Sequence, residues 1–468
     1  MKIKSSISDK LSSRSLFACL IPILATSPAA VAAPSSIVRA SVADNGQEGN
    51  NSSSTYFGPT LSANGRYVVF KSDASNLVPG DNNGLADIFV RDLKKGTTQR
   101  VSVSAAGTDS NGDSYAFALS SDGRYVAFSS GASNLVEGDA NGVYDVFVRD
   151  LKIGVTQRVS VDSNEKEADG GSYEASVSAN GRYVVFNSSA GNLVPGDDNE
   201  TTDVFVRDLK TGITVRASVD SAGTGGNSYS QDPVISANGR FVAFSSGSDN
   251  LVPNDTNGLA DIFVHDLKTG ETKRASVNSA GGEASGAGYA PSEYCGGASE
   301  YVLSSYQPSI SRYGRFVAFA SGACNLVEGD HNADIVEGSY NGADIFVHDF
   351  KTGKTTRVSV DSAEGEFKGY SVLPTISANG RFVAFTSDYG GAYNEWGYLT
   401  TNVVVHDRKT GTTEVVSVDP KAANSNYFGS YGASVSATGR FISFASDSSN
   451  LVPGDNNDSD DVFVSRRW

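Results

Sequence analysis

Short apolar runs alternate with polar, glycine-rich turns along the chain from residue 36 onward. In the first clear unit the runs 66–72, 87–92 and 99–103 are rich in β-branched and aromatic residues, which favour β-strands. A shorter run at 59–62 leads into an Asn-Gly dipeptide, which makes tight hairpins. The segments YVVF and IFV lack polar alternation, which is typical of strands covered on both faces. The pattern predicts four short strands per unit.

The unit occurs seven times. A motif of glycine, arginine, an aromatic residue and a short apolar run recurs at spacings of 58, 58, 58, 75, 66 and 59 residues. Its glycines are Gly65, Gly123, Gly181, Gly239, Gly314, Gly380 and Gly439. A period of this size is typical of repeat proteins, in which a unit buries its apolar faces only by stacking on its neighbours. Seven four-stranded units predict an all-β fold, a seven-bladed β-propeller.

The two ends of the repeat array complement each other. The seventh unit stops after DVFV at 461–464 and lacks a fourth strand, whereas VRASV at 38–42 resembles a fourth strand without a preceding unit. We therefore expect an N-terminal strand at 37–43 to complete the last blade, so that the ring has no open edge. The seven blades are then expected at 59–103, 116–161, 174–219, 232–277, 307–360, 373–418 and 433–464.

The blade motif resembles the WD-like (PD40-like) repeats of TolB-type propellers. Those repeats share an S-x-[DN]-G-[RK]-x-[VI]-[AV]-F-x-S core, a strand that ends in Asp, and a Thr-Gly turn. The match is clearest at LSSDGRYVAFSS, 119–130, with DVFVRD, 145–150, and it covers almost all of the chain after residue 36. The resemblance implies the propeller fold. It leaves function open, because similar propellers serve as binding platforms, enzyme accessory domains and hydrolases.

Residues 1–33 have the pattern of a signal peptide, with basic residues, an apolar run at 16–25 and a small-residue segment ending near Ala32 or Ala33. We therefore expect an exported protein, periplasmic or extracellular, with one propeller at 34–468 and no membrane span. The net charge of −16 repels nucleic acids and anionic lipids, so neither is expected as a partner.

The expected function is non-catalytic binding or scaffolding, in which a monomer holds a protein or glycan ligand on its loop-rich face. No linear catalytic motif occurs in the sequence. The alternative is a secreted polysaccharide hydrolase or lyase, because carboxylates from different blades can meet at the channel mouth without any linear motif.

A tyrosine precedes each repeat glycine by eight to ten residues. We expect these phenols near the mouth of the central channel, where they either bind a ligand or pack blade against blade. They are Tyr56, Tyr115, Tyr173, Tyr229, Tyr306, Tyr370 and Tyr431. Two inserts at the fifth unit, 281–306 and 331–341, break the repeat and add the ligand-binding candidates Tyr289, Tyr294, Tyr301 and His331.

The long loop of most units carries Asp, Asn and Asp at loop positions 1, 3 and 7. Such oxygens could hold a hard cation, and calcium is the one cofactor that the sequence suggests. The loops resemble the calcium loops of integrin-type propellers but lack a third acidic position and the glycine after it. The alternative is that these residues make Asx-turns. The candidates are Asp81, Asn83, Asp87, Asp139, Asn141, Asp145, Asp197, Asn199, Asp203, Asp255, Asn257, Asp261, Asp455, Asn457 and Asp461.

Three further sets of residues carry expectations. Cys295 and Cys324 form either a disulfide or two buried free thiols. The arginine after each repeat glycine is expected to pair with the aspartate that closes the third strand of its blade, as Arg66 with Asp92. Three histidines that replace an arginine of the third strand are expected at the surface; they are His265, His348 and His406.

Overall fold

The computed structural model describes residues 36–54, 58–285, 304–330, 342–367, 369–389, 400–417 and 429–468. All of them belong to one compact unit, Ala32–Trp468. Within the described ranges the chain forms seven four-stranded antiparallel sheets, arranged as the blades of a ring. The seven-bladed β-propeller predicted from the repeats is confirmed.

Each blade is built from consecutive strands, except the last, which takes its outer strand from the N-terminal segment. Strands of blades 1 to 4 are β2 Thr60–Leu61, β3 Tyr67–Ser72, β4 Asp87–Asp92, β5 Thr97–Arg100, β6 Ser114–Leu119, β7 Tyr125–Ser130, β8 Asp145–Asp150, β9 Val155–Arg158, β10 Ser172–Val177, β11 Tyr183–Ser188, β12 Asp203–Asp208, β13 Ile213–Arg216, β14 Ser230–Ile235, β15 Phe241–Ser246, β16 Asp261–Asp266 and β17 Thr272–Arg274. Strands of blades 5 to 7 are β18 Ser305–Ile310, β19 Phe316–Ser321, β20 Asp344–Asp349, β21 Lys354–Arg357, β22 Ser371–Ile376, β23 Phe382–Ser387, β24 Asn402–Asp407, β25 Thr412–Val415, β26 Ser430–Val435, β27 Phe441–Ser446, β28 Asp461–Arg466 and β1 Ser36–Arg39.

The ring closes as predicted, because β1 pairs antiparallel with β28, with Ser36 opposite Arg466 and Arg39 opposite Phe463. The closing strand ends at Arg39, earlier than the predicted 37–43. Ser41 is the reason: its hydroxyl donates to Asp461 and accepts from the Val462 N–H, so a side chain replaces the backbone ladder there. The equivalent serine makes the same two bonds in blades 1 to 5, and in blade 6 it donates to Asn402 in place of the aspartate.

Neighbouring blades share their cores. In blade 1, Phe70 and Phe89 are fully buried with ring centroids 5.9 Å apart, and the other blades except blade 6 repeat this pair. A single apolar cluster joins Val146 of blade 2 to Phe186 of blade 3. This double burial explains the unbroken apolar strands, since each sheet is covered on both faces.

The hairpin between the first two strands holds two repeat residues in fixed roles. Gly65 has φ 70°, and a Cβ there would lie 2.2 Å from the ring of Phe441 in the neighbouring blade. Only glycine meets both conditions. Arg66 makes the predicted bidentate pair with Asp92, at 2.9 and 2.6 Å, and the pair recurs in blades 2 to 6.

The remaining links emerge at the opposite end of the blades. Loops between the second and third strands, such as 73–86, and the links between blades share one face, which we call the loop face. The first strand of each blade starts at this face and lines the axis. Its first residues therefore lie at the mouth of the central channel.

Candidate functional site

The predicted cation loops surround an arginine from the fourth strand. Arg100 Nη1 lies 2.9 Å from Asp81 Oδ1 and 3.3 Å from Asp87 Oδ2, and all three side chains are at most 7% exposed. The same arrangement recurs around Arg39, Arg158, Arg216, Arg274 and Arg357. A positive charge of the protein itself thus stands among the oxygens proposed as calcium ligands.

The loop asparagine makes an Asx-turn in five of the blades. Asn83 Oδ1 accepts the Leu85 N–H at 3.0 Å, and its Nδ2 donates to Asp87 Oδ2 at 2.9 Å. Asn141, Asn199, Asn257 and Asn457 repeat both bonds. These contacts favour the turn interpretation, since the amide oxygen is already used. Calcium in these loops stays a prediction.

Acidic groups outnumber the arginine in most of these clusters. Glu48 and Glu366 bring a third carboxylate beside Arg39 and Arg357, and in both groups carboxylate oxygens lie within 4.8 Å of one another. Burial, together with the neighbouring carboxylates, raises the pKa of the first loop aspartate to about 6 at Asp81, Asp139, Asp197, Asp255 and Asp455.

Blade 6 lacks both the fourth-strand arginine and the third-strand aspartate that pairs with it. There Val415 stands in place of the arginine and Asn402 in place of the third-strand aspartate, and Ser417 Oγ donates to Asn402 Oδ1 at 3.1 Å. Both charges are lost in the same blade. The pair therefore behaves as one structural unit, as expected for buried ions that are costly when left alone.

Three tyrosines form a half-exposed cluster on the loop face, which we call the tyrosine cluster. Tyr115 and Tyr173 start the inner strands of blades 2 and 3 and are 36% and 43% exposed. Tyr144, from the loop between β7 and β8, lies between them with ring centroids 6.2 Å from Tyr115 and 5.5 Å from Tyr173. Tyr144 does not recur in the repeats, and so repeat analysis missed it.

The other predicted tyrosines have different surroundings. Tyr306 and Tyr370 pack against a small apolar cluster around Leu373, and the Tyr431 hydroxyl lies 2.6 Å from Ser54 Oγ. Tyr229 is 40% exposed just before β14. Outside the described residues lie Tyr56, Tyr289, Tyr294, Tyr301 and His331.

Charged groups border the tyrosine cluster. Lys71 Nζ lies 6.0 Å from the Tyr115 ring centroid and pairs with Asp73 at 2.5 Å. Burial, followed by the charge of Asp113, raises the pKa of Tyr115 to about 12. The phenol is therefore a neutral hydrogen-bond donor in the physiological range, set beside carboxylates that accept hydrogen bonds.

The central channel contains a cavity of about 290 Å³ lined by the inner strands of all seven blades. A bulge in the inner strand gives Glu174, Asp232, Gln307 and Leu373 φ values of 53–55°. Each of the first three side chains accepts the N–H of the corresponding residue in the next blade, at 2.9, 3.1 and 2.9 Å. We call this chain of hydrogen bonds the channel latch.

Two members of the channel latch, Glu174 and Asp232, carry carboxyl groups at equivalent positions of adjacent blades. Burial, followed by the charge of Asp232, raises the pKa of Glu174 to about 7, and burial also raises the pKa of Asp232. Neither residue was predicted. Their only signal in the sequence is an acidic residue seven positions before Gly181 and before Gly239, where the other units have Gly, Ala, Gln or Leu.

Replacing Glu174 by glutamine is expected to flatten the pH dependence of stability. Between pH 4.5 and about 7 the unfolded chain loses a proton that folded Glu174 retains, so rising pH destabilises the folded state. In EDTA, the difference in melting temperature between Glu174→Gln and wild type should increase by roughly 2–5 °C in favour of the variant as the pH rises from 4.5 to about 7. Gln307→Glu, at the equivalent position two blades on, is the matched control and should steepen the pH dependence. If the melting temperatures of all three proteins changed with pH in the same way, the raised pKa assigned to Glu174 would be contradicted.

The histidine prediction is wrong. His265, His348 and His406 are at most 6% exposed, and each Nδ1 lies 2.8–2.9 Å from a threonine Oγ1 of the fourth strand. This position of the third strand is buried even where it holds arginine, as at Arg91.

Cys324 is 9% exposed and disulfide-bonded. Cys295 lies outside the described residues, so its pairing with Cys324 stays a prediction.

Comparison with solved structures supports the fold. An oligogalacturonate lyase in complex with manganese is 11% identical with TM-score 0.53, covering 94% of this chain and 95% of that chain. An oligogalacturonate lyase from Vibrio parahaemolyticus is 10% identical with TM-score 0.50, covering 89% and 90%. TolB from Acinetobacter baumannii is 15% identical with TM-score 0.37, covering 86% and 81%.

The likeness to the two lyases shows the propeller fold alone. No protein-family model matches the chain, and no curated protein matches it. In the part of the chain that the structure describes, no helix has the length and apolar character to cross a membrane.

Proposed function

We propose that the protein is an exported, monomeric and non-catalytic binding module that holds a neutral glycan on the tyrosine cluster. The observation that carries this proposal is the contact of three partly exposed rings, Tyr115, Tyr144 and Tyr173, across two blades at the channel mouth. A tyrosine offers an apolar face for stacking and a hydroxyl for hydrogen bonding, which together suit a sugar ring.

The charges around the cluster support a neutral ligand. Asp73 and Asp113 accept hydrogen bonds from sugar hydroxyls, and with the net charge of −16 they repel an acidic polysaccharide. Tyr306 and Tyr370 pack against an apolar cluster, whereas Tyr115 and Tyr173 are partly exposed, so we assign binding to blades 2 and 3.

Retention on immobilised glycans tests this proposal. The mature chain is expected to be retarded by at least one neutral polysaccharide, and Tyr115→Ala/Tyr173→Ala to bind it about tenfold or more weakly. Tyr313→Ala is the matched control, because Tyr313 is 66% exposed but lies in the hairpin between β18 and β19, away from the loop face. Equal retention of both variants, or no retention by any neutral glycan, would contradict the proposal.

A polysaccharide hydrolase or lyase is the second candidate, and the channel carboxylates favour it. Glu174 and Asp232 are acidic residues outside the repeat pattern, and a carboxyl with a pKa of about 7 can act as a general acid. Their negative charge suits a neutral chain better than a polyuronide, which favours a hydrolase over a lyase, because lyases cleave next to a uronic acid. Release of reducing ends from a glycan by wild type but not by Glu174→Gln would establish this activity in place of simple binding.

A further inference from the structure

We propose that the central channel binds one hard divalent cation beside blades 3 and 4, through the carboxylates of Glu174 and Asp232 and the amide oxygen of Asn187. The site is separate from the predicted loop sites. It adjoins the tyrosine cluster, since Glu174 follows Tyr173 in the chain and Asn187 lies opposite Tyr173 across the strand pair β10–β11, but it uses none of the side chains of that cluster.

The hydrogen-bonding role of the channel latch does not require charge. Gln307 accepts the Leu373 N–H at 2.9 Å with a neutral amide, in the same backbone conformation as Glu174 and Asp232. Glutamine and asparagine could therefore serve the two preceding blades equally well. Two partly buried carboxylates in adjacent blades repel each other unless a positive charge compensates them. No lysine or arginine is among the described residues that line this cavity.

Asn187 supplies an independent observation. Its side chain is 6% exposed, and its Nδ2 donates to Glu174 Oε2 at 2.6 Å, which places the amide group against the carboxylate. Its Oδ1 accepts no hydrogen bond from any residue that the structure describes. A buried amide oxygen without a donor is uncommon, because the lost hydration is not replaced. A cation beside Glu174 would be that missing partner.

The donor set selects the kind of ion. Glu174, Asp232 and Asn187 offer oxygen only, which suits calcium, magnesium or manganese and disfavours soft metals. Two carboxylates balance the charge of one divalent ion. The cavity of about 290 Å³ leaves room for the waters that complete the coordination shell. Calcium fits best, since it accepts irregular geometry and mixed carboxylate, amide and water ligands.

Calcium binding to the mature chain, measured by equilibrium dialysis and titration calorimetry, tests this inference. Wild type is expected to bind one ion per chain, and Glu174→Gln/Asp232→Asn to bind at least tenfold more weakly. The latch bonds remain possible in that variant, so the fold should persist. Glu271→Gln/Glu364→Gln is the charge-matched control, because both side chains are exposed and lie outside the channel and the loop clusters, and it should bind as wild type does.

Asn187→Ala provides a second variant that leaves both carboxylates in place, and about tenfold weaker binding is expected. Several ions per chain that persist in the double variant would assign binding to the loops and overturn the channel site. Absence of binding at 10 mM calcium or manganese would overturn it as well, as would unchanged affinity in both the double variant and Asn187→Ala.

Discussion

Replacement of Arg216 by valine is expected to lower the free energy of unfolding by about 3–5 kcal/mol. Arg216 Nη1 lies 2.9 Å from Asp197 and 3.3 Å from Asp203, and both carboxylates are almost fully buried. Without the guanidinium, the buried Asp203 side chain keeps its hydrogen bonds from Asn199 and Ser218 but loses its positively charged partner. Blade 3 is the best place for this test, because Gly225 stands where other blades bring a third acid.

Chemical denaturation of the single variant and of Arg216→Val/Asp203→Asn measures this effect. The double variant copies Val415 and Asn402 of blade 6 and is expected to recover about half of the loss, since Asp197 remains unpaired. A double variant no more stable than Arg216→Val alone would contradict the view that arginine and aspartate form one unit. Arg312→Ala, in the hairpin before β19, is the control for removal of an arginine elsewhere.

Deletion of residues 36–45 is expected to lower the melting temperature by on the order of 10 °C or to cause aggregation. The deletion removes β1 and leaves β28 as an open edge. It also removes Ala40 from the core shared by blades 7 and 1, and Arg39 from between Asp455 and Asp461. Scanning calorimetry with light scattering measures both outcomes.

A circular permutant separates loss of the strand from change of the termini. It consists of residues 55–468, a Gly-Ser turn and residues 36–54, so that β28 continues directly into β1. Because Ser36 already lies opposite Arg466, a short turn can join them. The permutant is expected to melt close to wild type. A deletion variant that melts like wild type would refute the role of β1 in closing the ring.

The repeats made the fold predictable. Seven copies of one motif reveal the strands and turns of a blade. The closure is revealed by the two ends of the chain, since the N-terminal end has an extra fourth strand and the last blade lacks its own fourth strand. The boundary of the fourth strand was not predictable in this way. Ser41 and its equivalents look like strand residues, but their hydroxyls bond across to the third strand, and a linear pattern does not show that contact.

The candidate site was less predictable, because it depends on departures from the repeat. Tyr144 lies in a loop where no other unit has a tyrosine, and only the ring geometry joins it to Tyr115 and Tyr173. Glu174 and Asp232 are separated by 58 residues, and they become neighbours only because equivalent positions of adjacent blades meet at the axis. The arginine of the loops was missed as well, since its partners lie in two different segments.

The central claim, that a glycan binds on the tyrosine cluster, is tested most directly by hydroxyl-radical footprinting of the mature chain with and without the glycan that it retains. Tyr115, Tyr144 and Tyr173 are expected to be protected severalfold, whereas the more exposed Tyr313 should react equally in both states. Protection of Tyr313, or unchanged reactivity of all three cluster tyrosines with the glycan bound, would contradict the assignment.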